Sequence, residues 1–167
     1  MRTPVEIVEL LASAAHRYEG RPTDGPDPVP PAEMRDRVEV RAGLGVVGDR
    51  FFNAPAHRRA SVTVMAAESL DAVAEMLGLD EAPGLAQTRR TILLRGVDVD
   101  ALVGAAFAIE QDGALLRLQG HRAANPCAWM DRVIAPGAFR ALRHRGGVRC
   151  EPLDDGALRV GPAVLVS

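Results

Sequence analysis

The stretch AAFAIEQDGALLRLQG most limits the folds open to this chain, because it holds two short apolar runs joined by an Asp-Gly dipeptide. Asp112 and Gly113 suit the two-residue turn of an antiparallel hairpin, in which both central residues adopt positive φ. The apolar residues on either side are Phe107, Ile109, Leu116 and Leu118. The stretch predicts two paired strands, and further strands must complete a sheet that covers their apolar face.

Strand-like runs recur along the rest of the chain. Val38 and Val40 alternate with charged residues, and the segments 61–65 and 91–94 are rich in β-forming residues. The run from Val5 to Leu11 fits either a strand or the start of a helix that continues to Ala15, and its length does not decide between them. The closing segment VRCEPLDDGALRVGPAVLV predicts a last hairpin about Asp155-Gly156.

Helical patterns are fewer than strand patterns. Leu70, Val73, Ala74 and Leu77 recur at helical spacing, and Gly78 stands where a helix of this pattern would end. Shorter helical signals follow in NPCAWMDRV and PGAFRALRHR. Because the strands come in hairpins rather than in alternation with helices, we predict a mainly β, α+β fold: an antiparallel barrel with a few flanking helices.

The chain has 167 residues, which fits one domain over 1–167 with a single sizeable core. The segment YEGRPTDGPDPVPP is rich in proline, glycine and aspartate, and it predicts an extended loop at about 18–32. A loop of this length is unusual in a compact domain and indicates either a functional role or mobility.

Composition narrows the possible partners and chemistry. The formal net charge of −2 gives no indication of nucleic-acid or membrane binding, and no apolar run approaches a bilayer span. The N-terminal stretch lacks a signal-peptide pattern, so we expect a cytoplasmic protein. All 20 basic residues are arginines. Without lysine the chain cannot form a Schiff base, so pyridoxal phosphate is not expected as its cofactor.

Cys127 is the first candidate for chemistry. It follows Asn125 and Pro126, which are favoured at the N-cap and at the first helical position. The sequence therefore predicts Cys127 as the second residue of a helix, near unpaired N–H groups that favour a thiolate. Burial as a small apolar residue is the alternative, because free cysteine is among the most buried residue types. Cys150, within a strand pattern, is interpreted as core packing.

Arginines near predicted strand ends form the second group of candidates. Arg50 follows a glycine-rich turn, Arg59 precedes one strand, and Arg89 and Arg90 precede another. If the strand ends meet at a barrel mouth, these guanidinium groups would form a pocket for phosphate or another oxyanion. Ordinary surface solvation is the alternative for each of them. His121 and Arg122 add positive charge upstream of Cys127.

Several motifs taken together resemble the MOSC domain, named for the C-terminal domain of molybdenum cofactor sulfurase. The matching segments are GVVGDR, SVTVMAAESL, TRRTILLRGVDVDALVGAAFAI, NPC and GGVRCEPLDDGALRVGPAVL, in that order. The resemblance covers nearly the whole chain and implies a β-barrel with flanking helices. It also implies a site for the molybdenum cofactor, a molybdopterin.

The resemblance assigns roles to particular residues. The PC motif matches Cys127 to the cysteine that carries sulfur as a persulfide or ligates molybdenum. Other residues are implied to contact the cofactor, the first three of them through the family's RRN or RPN motif. They are Arg89, Arg90, Thr91, Asn125, Arg59, Arg50 and Arg122. Thr91 stands where the family usually has asparagine, and it offers one donor fewer.

Three functions follow as hypotheses. The first is a molybdenum-cofactor-binding domain that acts in cofactor sulfuration or sulfur transfer, with a cysteine desulfurase or a molybdoenzyme as its expected partner. The second is a non-catalytic module that binds a phosphorylated ligand or a protein, which Thr91 favours. The third is a molybdenum-dependent reductase of N-hydroxylated compounds, which would require an electron donor. Whether the chain is an enzyme is open at this stage.

Overall fold

The computed structural model describes residues 1–167 and contains ten β-strands and four α-helices. The strands are β1 Arg2–Leu10, β2 Arg37–Arg41, β3 Gly45–Val46, β4 Val62–Ala66, β5 Ile92–Arg95, β6 Ala106–Gln111, β7 Ala114–Ala123, β8 Val148–Pro152, β9 Gly156–Arg159 and β10 Gly161–Val166. The helices are α1 Ala67–Leu77, α2 Leu85–Thr88, α3 Trp129–Val133 and α4 Ala138–Ala141. Short 3₁₀ turns cover Pro22–Asp24, Pro55–Ala60 and Asp100–Leu102.

Seven strands form a closed barrel in the order β1-β10-β6-β7-β8-β4-β5. The predicted hairpin of β6 and β7 is confirmed, with Asp112 and Gly113 both at positive φ between the two strands. The prediction of a mainly β fold with a barrel and flanking helices is therefore confirmed. Closing the sheet on itself leaves none of these seven strands with an unpaired edge.

The barrel also contains one parallel pair, which the sequence analysis did not predict. β4 runs parallel to β5, and α1 and α2 lie between them in the chain. A parallel pair needs a crossover of this kind because a tight turn cannot join its strands. α1 has the predicted ending: Gly78 adopts the left-handed conformation at φ 64° and donates to the carbonyls of the last turn.

The N-terminal run is a strand throughout, which excludes the helical alternative. β1 pairs with β10 on one side and with β5 on the other, and so it closes the barrel. Val5 and Ile7 are buried, whereas Pro4 and Glu6, the residues directly before each of them, are exposed. This period-2 alternation is that of a strand with one face in the core.

The predicted closing hairpin about Asp155-Gly156 was wrong. β9 pairs with β2 in a separate three-stranded sheet of order β3-β2-β9, and β10 pairs with β1 and β6. The Asp155 carboxylate accepts a hydrogen bond from the Ala42 N–H at 2.9 Å, which ties the turn to the neighbouring sheet. The turn signal was real, but it marks a change of sheet rather than a pair of adjacent strands.

Two hydrophobic clusters lie on opposite sides of the barrel wall. The larger fills the interior and contains Val62, Val64 and Cys150, with Cys150 fully buried as predicted. The smaller packs Met65 and Leu93, from the outer face, against residues of the helices. Side chains of β4 and β5 therefore alternate between the two clusters. No helix combines the length and apolar character needed to cross a bilayer.

Candidate functional site

Cys127 lies just before a helix rather than inside one. α3 begins at Trp129 with Ala128 at the N-cap, and no side chain caps it. The prediction that Asn125 caps a helix with Cys127 as its second residue was therefore wrong. The segment from Ala124 to Cys127 has no regular secondary structure, and the Cys127 carbonyl accepts from the Met130 N–H at 3.0 Å. The Cys127 side chain is exposed, so burial as core filler is excluded.

The thiol lines a cavity of about 210 Å³ against the barrel wall. Five of the residues assigned from the sequence line it: Arg50, Arg89, Arg90, Asn125 and Cys127. Thr63 of β4 and Arg149 of β8 line it as well. Because Val64 and Cys150, next to them in the chain, point into the barrel, Thr63 and Arg149 belong to its outer face. The site therefore lies beside the barrel rather than at its mouth.

A row of cross-strand neighbours forms the wall of the cavity. Thr63 pairs with Arg149, and Arg149 pairs with Arg122 on β7. Thr91 stands on the other side of Thr63, with their hydroxyl oxygens 3.1 Å apart. The Thr91 hydroxyl oxygen also accepts from the Thr63 N–H at 3.1 Å. Thr91 is not one of the residues that line the cavity, and its hydrogen bonds hold Thr63 in place.

Arg90 fastens the cysteine-bearing segment to the barrel. Its guanidinium donates to the carbonyls of Ala124, Asn125 and Gly146, at 2.7, 3.1 and 3.2 Å. No carboxylate pairs with it. Burial, reinforced by Arg149, lowers the pKa of Arg90 to about 10. Its Nη1 makes no hydrogen bond within the protein, so that donor is free for a ligand in the cavity.

Two further arginines of the cavity are already neutralised. Arg89 pairs with Glu33 at 2.7 Å, and Arg50 pairs with Asp49 at 3.2 Å; all four side chains are almost completely buried. Arg89 also donates to the Ala15 carbonyl at 2.9 Å. Its Nε and the Glu33 Oε1 have no hydrogen-bond partner. The structure therefore assigns Arg89 and Arg50 mainly to holding the cavity walls together.

Arg149 is the residue that the sequence analysis missed. It lines the cavity, pairs with no carboxylate and donates no side-chain hydrogen bond. Desolvation, with Arg122 adding to it, lowers the pKa of Arg149. Its signal in the sequence was weak, because it is one arginine in a strand beside a cysteine that was interpreted as core. Only the strand pairing shows that it faces the same cavity as Cys127.

Aromatic residues close one side of the cavity. Tyr18 stacks on Trp129 with ring centroids 5.2 Å apart and an angle of 14° between the planes. The Tyr18 hydroxyl donates to the Gln87 carbonyl. Burial raises the pKa of Tyr18 to about 12. Tyr18 begins the segment predicted as an extended loop, which has only the short 3₁₀ turn Pro22–Asp24 within it.

Two of the assigned arginines lie outside this cavity. Arg59 and Arg122 line a neighbouring groove of about 580 Å³, together with Pro55, Ala56, Arg58 and His121. The groove adjoins the first cavity through the cross-strand pair of Arg122 and Arg149. The structure thus divides the predicted anion site into two adjoining basic recesses.

Solved structures with the same fold match the chain at low sequence identity. YuaD from Bacillus subtilis has a TM-score of 0.75 and 18% identity, and the match covers 99% of this chain and 97% of that one. YiiM from Escherichia coli has a TM-score of 0.61 and 14% identity, covering 100% and 70%. YiiM from Geobacillus stearothermophilus has a TM-score of 0.59 and 14% identity, covering 98% and 75%.

No protein-family model matches the chain, and no curated protein matches its sequence. At the identities of the structural matches, the likeness shows the fold alone. That fold is a MOSC-like barrel, as the sequence motifs implied.

Proposed function

We propose that this chain is a molybdenum-cofactor-binding domain in which Cys127 carries sulfur or ligates molybdenum. One observation carries the proposal: an exposed thiol lines the same cavity as Arg90 and Arg149, which no carboxylate neutralises. A thiol is suited to a soft metal centre or to sulfur, and unpaired guanidinium groups are suited to phosphate. The MOSC-like fold agrees with this use.

The residues present fit a phosphorylated ligand with a sulfur-binding centre. Arg149 has five N–H donors without protein acceptors, and Arg90 retains those of its Nη1. The residues that line the cavity include no aspartate or glutamate. An oxyanion in the cavity would therefore meet positive charge without competition from a carboxylate.

Each residue has a separate part in binding. Arg149 and the free Nη1 of Arg90 bind the anionic group. The Nη2 of Arg90 holds the segment that carries Cys127, and its Nε donates to Gly146 before β8. Met130 and Tyr18 shield one side from water. When bound, the cofactor supplies a metal centre that exchanges oxygen and sulfur ligands. A desulfurase or a molybdoenzyme is the partner class that this role requires.

The second candidate is a non-catalytic module that binds a phosphorylated ligand. The size of the cavity favours it, because about 210 Å³ is below the usual range of sites that enclose a whole organic ligand. A phosphate group fits this volume, whereas a complete pterin cofactor must extend beyond it. Under this alternative the thiol contacts the ligand without forming a bond to it.

The test is to produce the chain in a host that makes molybdenum cofactor and to measure what co-purifies. Molybdenum is measured by mass spectrometry, pterin by fluorescence after oxidation, and sulfane sulfur by cyanolysis. Cys127→Ser is compared with Cys150→Ala, which also removes one thiol but from the barrel interior. We expect the parent chain and Cys150→Ala to contain pterin and molybdenum, and Cys127→Ser to lose molybdenum or sulfane sulfur.

The readings separate the two roles of the thiol. Loss of sulfane sulfur in Cys127→Ser, but not in Cys150→Ala, indicates that Cys127 carries sulfur. Loss of molybdenum in Cys127→Ser without a loss of sulfane sulfur indicates that Cys127 ligates the metal. A parent chain free of pterin and molybdenum would contradict the proposal and favour the binding module.

A further inference from the structure

The groove beside the cavity combines arginines from two separate parts of the chain. Arg58 and Arg59 come from the 3₁₀ turn Pro55–Ala60, and His121 and Arg122 come from the end of β7. The groove, of about 580 Å³, is more than twice as large as the cavity that contains Cys127. Its walls therefore depend on the tertiary fold rather than on a local run of basic residues.

A β-bulge directs two consecutive side chains into the groove. Gly120 pairs with Cys150 and Arg122 pairs with Arg149, so His121 is an extra residue between the two pairs. In a regular strand, neighbouring side chains point to opposite faces. Because the bulge breaks this alternation, both His121 and Arg122 line the groove.

The guanidinium groups of the three arginines of the groove have no polar partner within the protein. Eight of the 20 arginines pair with a carboxylate within 4 Å. Arg58, Arg59 and Arg122 do not, and their guanidinium groups donate no hydrogen bond within the protein. The one carboxylate beside the groove is that of Glu151, which lies 3.2 Å from the His121 ring.

Like charges also face one another at the boundary with the first cavity. Arg122 and Arg149 are direct neighbours across the β7–β8 ladder, and such like-charged pairs destabilise a sheet. Burial lowers the pKa of Arg149, and the charge of Arg122 lowers it further. An anion placed between them would remove the repulsion and use the free donors of both. Arg58, Arg59 and Arg122 are all exposed, so an incoming anion would reach them without displacing a protein group.

We propose that the groove lined by Arg58, Arg59, His121 and Arg122 is a second oxyanion site, which takes a phosphate or diphosphate group. It differs from the Cys127 cavity in its residues and its larger volume. The group that it takes belongs either to the arm of a ligand whose other end occupies the first cavity or to a separate phosphorylated substrate. The site does not depend on the identity of the cofactor.

The test is calorimetric titration of the full chain, without cofactor, with inorganic pyrophosphate at low and at physiological salt. Arg59→Gln/Arg122→Gln removes two charges from the groove. Arg21→Gln/Arg140→Gln removes two charges from exposed arginines that line neither recess. We expect the groove variant to bind pyrophosphate about tenfold more weakly or worse, because each arginine contributes charge-assisted hydrogen bonds. The control variant should stay within about twofold of the parent chain.

Two results would overturn the inference. An equal loss of affinity in the control variant would show a general effect of net charge, and unchanged binding in the groove variant would show that pyrophosphate binds elsewhere. Circular dichroism confirms that both variants are folded. Because this titration uses the chain without cofactor, its outcome does not depend on whether the cofactor binds, so failure of the cofactor proposal remains distinguishable from failure of this one.

A second titration identifies the source of the phosphate group. Cofactor-loaded chain that still binds pyrophosphate indicates a separate substrate, and loaded chain that no longer binds it indicates that the cofactor's own arm fills the groove. Either result supports the second site.

Discussion

At the scale of single residues, position in the fold decides what a side chain does. Sequence motifs grouped Arg89, Arg90 and Thr91 as cofactor contacts, yet each has a different environment. Arg89 is neutralised by Glu33, Arg90 keeps a free donor in the cavity, and Thr91 is buried against Thr63. The motif located the site, but the hydrogen-bond partners that divide these roles come from distant parts of the chain.

Thr91→Val tests whether this residue is structural. The substitution leaves the buried N–H of Thr63 without its acceptor, and an unmet buried donor costs about 1–3 kcal/mol. We expect the free energy of unfolding to fall by about that amount in urea titrations. Thr23→Val, in the 3₁₀ turn of the long loop, is the control and should be close to neutral. If Thr91→Val left stability intact while abolishing ligand binding, direct ligand contact would be the better account.

Tyr18 offers a spectroscopic test of the closed side of the cavity. It is the only tyrosine in the chain, and burial raises its pKa from 10.0 to about 12. Absorbance near 295 nm should therefore report a single ionisation near pH 12 in the folded protein. Because the raised pKa favours the protonated form in the folded state, its contribution to stability is complete below pH 10 and falls between pH 10 and 12.

Titration of Tyr18 at its ordinary pKa, in protein that circular dichroism shows to be folded, would mean that the tyrosine does not pack on Trp129. Tyr18→Phe is the blank for this measurement, since it keeps the ring and removes the absorbance change.

At the scale of elements, the sequence predicted local geometry well and strand partners poorly. The β6–β7 hairpin and the end of α1 follow from Asp112-Gly113 and Gly78, whose backbone conformations are set by neighbouring residues. The turn signal at Asp155-Gly156 was equally clear, yet β9 pairs with β2 in the other sheet. A turn signal fixes the bend of the chain, whereas the partner of the next strand depends on which apolar faces remain uncovered.

The Gly146-Gly147 pair, like Arg90, brings the segment before Cys127 close to the barrel. A Cβ on Gly146 would lie 2.1 Å from the Ala124 carbonyl oxygen, and one on Gly147 would lie 2.0 Å from the Val64 carbonyl oxygen. Both are far inside van der Waals contact, so the two glycines allow the segment before Cys127 to approach the barrel. This role of the pair could not be predicted from the sequence, because close backbone approach leaves no mark in the local residue pattern.

We expect Gly146→Ala to move the cysteine-bearing segment and to reduce the pterin and molybdenum that co-purify with the chain. The displaced Ala124 carbonyl is an acceptor for Arg90, so the guanidinium loses its anchor as well. Overpacking of this kind costs about 1–3 kcal/mol, which urea unfolding would measure. Gly104→Ala is the control, because its Cβ would meet nothing within 4 Å although its φ of 83° carries strain of its own. Equal effects of the two would exclude a special role for the close approach.

At the scale of the whole molecule, the buried Glu33–Arg89 pair joins distant parts of the chain. Glu33 follows the long loop and Arg89 ends α2, and the pair lies behind the cavity. Neither residue type nor spacing in the sequence identifies Glu33 and Arg89 as an ion pair, because the chain has 20 arginines. Its burial makes removal of one partner costly, because the other charge is left without compensation.

Glu33→Gln should therefore lower the free energy of unfolding by about 3–5 kcal/mol. Glu39→Gln, which breaks exposed pairs with Arg37 and Arg41, should change it by less than about 1 kcal/mol. Urea denaturation of the two variants makes the comparison. Equal, small effects would mean that water reaches the Glu33–Arg89 pair.

The closure of the barrel by β1 and β10 has a consequence for the order of folding. Residues 2–7 pair with residues 161–166, so the contacts that seal the barrel span almost the entire sequence. Contacts of such long range give a high contact order, and formation of the native state is correspondingly slow. During synthesis on the ribosome, β1 must wait for β10, which covers one of its two edges, until residues 161–166 have emerged. The anion sites rest against β7 and β8, whose pairing joins residues closer together in the sequence and does not involve the seam between β1 and β10.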